Sequence, residues 1–393
     1  MNDHGSMRTA RRTHGFTESV IREMSRVAQE AGAINLGQGF PDFPAPAVLK
    51  DAACRAIQDD VNQYAITWGT PSLRGALARK YQDWYGMEVD PESEITVTCG
   101  ATEAMASVML GLVNPGDEVV VFSPFYENYG PDATLCGAEP VFLPLSPPEF
   151  KLTREPLEAA VTARTRAIIV NTPNNPTGRV LSRQELELIA DVCRRHDLYA
   201  FTDEIYEHIY YEGEHIPLAT LDGMRERTVT VSGASKTFSI TGWRIGTIIA
   251  PSDLTGAIRK VHDFLTVGAP APLQEGCAAG MRELGDEYYE GLAKQYRERR
   301  DVLHQAITEA GFRAVKPQGA YYIMADFSSL SDLDDDSFAR HMTRNGGVAT
   351  VPGSSFFQNP EEGRHLVRFA FCKTLEKLEA AGDRLRQFSR AGG

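Results

Sequence analysis

Ala167-Ile168-Ile169-Val170-Asn171-Thr172-Pro173-Asn174-Asn175-Pro176-Thr177-Gly178 is the stretch on which the reading of the fold turns. Its first four residues are apolar without alternation. That pattern predicts a strand covered on both faces, as in a parallel sheet, rather than one with a wet side. The prolines and asparagines that follow predict a defined, non-helical loop at the strand's end. Working outward, similar strands are expected at Glu94–Thr98, Glu118–Phe122, Pro140–Leu143, Leu198–Thr202, Thr228–Ser232 and Gly246–Ala250. Helical patterns at Ala101–Leu112, Ser182–His196 and Asp253–Leu265 lie among them. Strands spaced by helices imply an α/β fold: a mostly parallel seven-stranded sheet flanked by helices.

Past about Asp286 the pattern changes. A long charged helix is expected from Asp286 to about Ala310, stopped by Gly311. Isolated strands (Ala320–Ala325, Leu366–Ala370) and helices (Ser337–Arg344, Leu375–Phe388) follow. This predicts a large domain over residues 45–285 and a smaller α+β domain built from both termini, 1–44 and 286–393. Pro41, Pro44 and Pro46 punctuate the crossing. The basic start (Arg8, Arg11, Arg12, His14) is expected as a surface arm leading into the first helix, with Met7 a candidate natural start.

The 393 residues carry a net charge of −13 with 42% hydrophobic and 24% charged residues, ordinary for a globular chain. So negative a surface repels nucleic acid and anionic lipid, so neither is an expected partner. An anionic ligand must then be gripped by donors placed locally. Six scattered cysteines without a CxxC pair read as free thiols in a reducing, cytoplasmic setting, and no metal site is expected. No apolar run is long enough to span a membrane.

Four features sit at ends of expected strands, where open α/β sheets bind ligands. Thr98-Cys99-Gly100-Ala101-Thr102-Glu103 closes a strand and opens a helix; it is an ordinary turn or a phosphate site. The Asn171–Gly178 loop can fix an amide donor. Asp203, in Asp203-Glu204-Ile205-Tyr206, is a helix N-cap or a carboxylate that needs a partner. Lys236 lies among small and hydroxylic residues in Ser232-Gly233-Ala234-Ser235-Lys236-Thr237-Phe238, with Arg244 close behind.

Taken in order, Asn175, Asp203, Lys236 and Arg244 resemble the fold-type I pyridoxal-phosphate aminotransferases of class I/II, and the likeness runs from the Asn35–Pro44 stretch to Arg368. The resemblance implies pyridoxal 5'-phosphate as cofactor and Lys236 as its Schiff-base lysine. It implies that Asp203 pairs with the pyridinium nitrogen and that Asn175 and Tyr206 hydrogen-bond the phenolic oxygen. Tyr126 would stack on the ring. Arg244, Ser235 and the Gly100, Ala101 and Thr102 turn would hold the phosphate. Tyr64 would reach the phosphate of a neighbouring subunit, making a homodimer with shared sites. Arg368 would clamp the substrate carboxylate and Gly39 would close over it. Gly233 stands where many relatives place a phosphate-binding serine, so Ser232, Ser235 or a water takes that role.

Asn35-Leu36-Gly37-Gln38-Gly39-Phe40-Pro41-Asp42-Phe43-Pro44 is similar to the kynurenine, glutamine and methionine aminotransferase branch. In that branch rings from the partner chain line the side-chain pocket; the matching positions here are Val267 and Gly268. The implied activity is ping-pong transfer of an amino group from an L-amino acid to a 2-oxo acid. A β-lyase of the cysteine-conjugate type on the same scaffold is the alternative. A regulator's sensor half would need a DNA-binding domain for which this acidic chain has no room.

Overall fold

The computed structural model describes residues 9–16 and 18–391, so the reading of Met7 and Arg8 lies outside the described residues. All seven expected strands form one sheet: β1 (Ile95–Thr98), β2 (Glu118–Ser123), β3 (Glu139–Pro144), β4 (Thr165–Asn171), β5 (Tyr199–Asp203), β6 (Thr228–Gly233) and β7 (Gly246–Ile249). Their order is β1-β7-β6-β5-β4-β2-β3. Every pairing is parallel except those of β7, which runs antiparallel to both β1 and β6.

Burial explains the unbroken apolar strands. Ala167 and Ile169 of β4 pack with Met105, Val108 and Phe201 on one face. Ile168 and Val170 pack with Leu186, Ile189 and Cys193 on the other. Helix Arg183–His196 begins in a capping box, Ser182 to Glu185. The strand expected over Leu198–Thr202 runs one residue further, so Asp203 is itself in the ladder, opposite Asn171 and Val231.

Helices outside the expected set include Ala47–Gln58, Pro71–Tyr85 and Ala271–Glu283. The first and last approach closely, because a side-chain carbon on Gly280 would meet Leu49 at 2.5 Å. Beyond Glu283 the expected long helix spans Asp286–Glu309 and packs on the last helix, Leu375–Arg390. Strands Val351–Pro352, Leu366–Ala370 and Tyr322–Asp326 form an antiparallel sheet. That last strand starts later than the expected Ala320, because Ala320 is left-handed at φ 53° and breaks the extended run. The helix expected at Ser337–Arg344 spans Asp335–His341 and continues as a wider π-type turn, Met342–Gly346. Ile34–Asn35 pairs with Val348–Ala349, and one core joins Met24 and Leu36 to Val348, Val367 and Leu385. That core also takes in Ile205, Tyr206 and Ile209, which follow β5. It therefore abuts the C-terminal ends of the large sheet.

Candidate active site

One cavity of about 250 Å³ opens where β4, β5 and β6 end. Its wall brings together Gly39, Ala101, Thr102, Tyr126, Asn175, Asp203, Tyr206, Ser235, Lys236, Arg244 and Arg368 from the sequence expectation. Gly100 is not on that wall but lies directly behind Arg244. A side-chain carbon there would come within 2.3 Å of the guanidinium, and its φ of +85° favours glycine in any case. Tyr64 lies outside the cavity and is 88% exposed.

Lys236 sits in a single helical turn, Ala234–Thr237, entered from β6 through Gly233. Burial presses its amine down to about 8, with Arg244 and Arg368 pushing the same way against Asp203 and Cys372. Its Nζ is 3.5 Å from the Gly39 carbonyl and within 6 Å of the Tyr206 and Tyr321 ring centres, at 5.9 and 5.7 Å. Asp203 is buried, which raises its carboxyl, while Tyr129 and Lys236 pull the other way. Its Oδ2 accepts the Tyr129 hydroxyl at 2.7 Å.

Arg244 follows the short turn Thr241–Trp243 and is itself left-handed at φ 56°. It faces the start of helix Ala101–Leu112, whose first-turn amides have no helical acceptor. Gly246 admits this close approach: a side-chain carbon there would meet Gly100 backbone at 2.3 Å. Of the candidates to replace the usual serine, Ser232 turns away, donating to Glu207, while Ser235 lines the cavity.

Arg368 is 1% exposed and lies between the Tyr322 and Phe356 rings, 4.2 and 4.7 Å from their centres. Nη1 donates to Asn175 Oδ1 at 2.8 Å and Nη2 to the Gly37 carbonyl at 2.7 Å. Its buried Nε has no partner among the described residues. That leaves one buried donor of the guanidinium without an acceptor. Gly39 fits against Tyr322, whose hydroxyl would lie 1.9 Å from any added side-chain carbon.

Several lining residues escaped the sequence reading: Tyr129, Tyr322, Thr241, Gln38 and Asp132. Gly130 and Pro131 hide the helix Tyr129–Cys136 that carries two of them. Tyr322 lay within an expected strand, where nothing distinguished it from a core aromatic.

A buried amine of lowered basicity, a buried carboxylate and an arginine against a helix N-terminus form a donor set suited to a phosphorylated pyridine carbonyl compound. Residues 31–385 match the family Aminotransferase class I and II, and the chain belongs to it. It is thus a transaminase. A solved N-succinyldiaminopimelate aminotransferase from Mycobacterium tuberculosis superposes with a TM-score of 0.94 at 41% identity, covering 97% of this chain and 100% of that one. The methionine aminotransferase of Escherichia coli is 37% identical over 94% of this chain and 95% of its own. A kynurenine–oxoglutarate transaminase of Dictyostelium discoideum is 36% identical over 98% and 97%.

Proposed function

We propose that this transaminase uses pyridoxal phosphate held by Lys236 and moves the amino group of an L-amino acid to a 2-oxo acid. The observation that carries the reading is the buried Lys236 amine beside Asp203 and Arg368 in one cavity. When bound, the cofactor supplies an electrophilic carbonyl and a cationic ring that accepts the electrons of the breaking Cα–H bond. Asp203 holds the ring's N–H cation, and that charge offsets the cost of its own burial. Arg244, Ser235 and the amides of Ala101 and Thr102, behind Gly100, hold the phosphate. Tyr126, which lines the same cavity, would stack on the ring.

Arg368 binds the substrate carboxylate, aided by the Asn175 amide and by the Gly39 backbone. This fixes Cα within reach of Lys236 Nζ. A lysine titrating near 8 is neutral often enough to take the Cα proton and still acidic enough to return it. Tyr206, whose hydroxyl lies 3.2 Å from that of Tyr322, is the donor on the phenolic-oxygen side. One site serving two substrates in turn gives ping-pong kinetics.

The functional unit in this reading is a homodimer in the cytoplasm. The dimer is supported by an exposed surface around Tyr64 and Phe264, 88% and 91% exposed, with Ile66, Leu265 and Val267. The compartment is supported by the free state of all six cysteines. The division at residues 45–285 belongs to the same proposal, supported by the pairing of the N-terminal Ile34–Asn35 with Val348–Ala349.

The deciding measurement is the absorption spectrum of the purified protein, with single amino acids added and no oxo acid. The panel includes methionine, kynurenine, glutamine and N-succinyl-diaminopimelate. A yellow protein that bleaches with one group of donors is expected. A colourless protein that cannot be reconstituted would remove Lys236 from its role.

A further inference from the structure

His262 is fully buried on helix Ser252–Thr266, and both its ring nitrogens face acceptors. Nε2 lies 2.7 Å from the Thr67 carbonyl, which can only accept, so Nε2 carries a proton. Nδ1 lies 3.0 and 3.1 Å from the two Glu103 oxygens. Glu103 also accepts the Cys99 amide at 2.9 Å and the Ser107 hydroxyl, so its oxygens act as acceptors here and favour a proton on Nδ1 as well. Acceptors at both nitrogens favour the imidazolium form of the ring. Burial works against that charge, but Glu103 and the Thr67 carbonyl outweigh it and hold the group above the ordinary imidazole range.

The other polar groups that face it are few: Thr266 Oγ1 on its own helix, at 3.3 Å from Nδ1, and the neighbouring Asp263, which also favours the charged form. What the cation joins matters more than its charge. Glu103 stands in the first turn of the helix that opens at Gly100, and through Cys99 it grips the strand end before it. Thr67 closes the exposed segment that carries Tyr64.

We propose that His262 is a positioning residue that clamps the Tyr64 segment to the phosphate-binding turn, so that cofactor retention in each site depends on a charged imidazole buried beneath the exposed Tyr64 segment. The inference rests on the cofactor and dimer proposed above. Without the cation one of the two bonds is lost, and the segment is held to the turn less tightly, through the Val97 amide on the Trp68 carbonyl at 3.0 Å.

The test compares pyridoxal phosphate release from wild-type holoenzyme, His262→Gln and His262→Lys during a chase with a carbonyl scavenger, at pH 6 and pH 9.5. A raised histidine pKa means the clamp is complete below pH 6.5 and lost as pH rises through the folded value. His262→Gln should release cofactor about tenfold faster than wild type at pH 6, because it loses a charge-assisted bond, and the ratio should fall toward one at pH 9.5. His262→Lys should stay slow at both. A ratio that is the same at both pH values overturns the clamp, as does a neutral His262 ring at pH 6 by nitrogen NMR of the wild-type holoenzyme. A wild-type protein that sediments as a monomer or never binds the cofactor overturns the underlying reading instead, and the clamp with it.

Discussion

The Tyr129 hydroxyl donates to Asp203 Oδ2 at 2.7 Å, in a place where neither residue meets bulk water. Asp203 thus has a neutral partner on one side and the cavity on the other. Tyr129→Phe leaves the carboxylate one bond short, and a hydrogen bond to a charged group contributes about 1.5–3 kcal/mol. The variant should fold, but its affinity for pyridoxal phosphate, measured by dialysis, should change by about tenfold or more. An unchanged affinity would show that Tyr129 only fills space.

Gly246→Ala pushes a methyl group into Gly100 backbone and through it against Arg244. The expected outcome is a displaced phosphate grip: cofactor affinity falls by about 1–3 kcal/mol, the range for overpacking a tight contact. Substrate affinity of the reconstituted enzyme should move less. Separate titrations of cofactor and amino donor check this.

Asp132 carries a buried carboxyl oxygen without a partner among the described residues, and burial raises the group from 3.8 to about 7. A raised acid favours its protonated form in the folded state. Stability is therefore full below the unfolded value near 4 and declines as pH rises to about 7, by up to about 4 kcal/mol at 1.36 kcal/mol per unit. Asp132→Asn removes this dependence. Its melting temperature should exceed that of wild type by more at pH 8 than at pH 5; a difference independent of pH would count against the account.

Lys80 and Glu207 form a buried pair, to which Tyr85 and Ser232 add hydrogen bonds on the carboxylate. Burial alone would raise Glu207, yet Lys80 and its neighbours bring it down to about 2. Lys80→Ala strands that charge and should destabilise the protein by about 3–5 kcal/mol in denaturant unfolding. Lys80→Ala with Glu207→Gln should recover part of the loss.

Much of this architecture was legible because its signals are local. An apolar run such as Ala167–Val170 needs no distant information to read as a doubly covered strand, and Ser182 with Glu185 marks a helix start by itself. The site was legible less from single residues than from their order: Asn175, Asp203, Lys236 and Arg244 were each ambiguous alone, and it was their succession at strand-sized intervals that resembled a known family. Tyr129, Tyr322 and Asp132 were not legible. They enter the cavity through packing of distant segments, and a tyrosine within a strand looks the same whether it fills a core or faces a ligand. The helix Tyr129–Cys136 was hidden by Gly130-Pro131, and Ala320 cut short a strand by taking a left-handed turn that its residue type does not announce.

The antiparallel pairing of β6 with β7 sets Gly233 opposite Gly246, and Lys236 and Arg244 lie in the excursion between them. These two groups are joined by a hairpin's worth of chain, whereas Gly39 and Arg368 come from opposite ends of the polypeptide. The two halves of the site should therefore not melt together. In rising denaturant, frayed termini would give a protein that stays coloured after it has stopped turning over. Absorbance and activity followed in the same titration should separate, with colour outlasting catalysis.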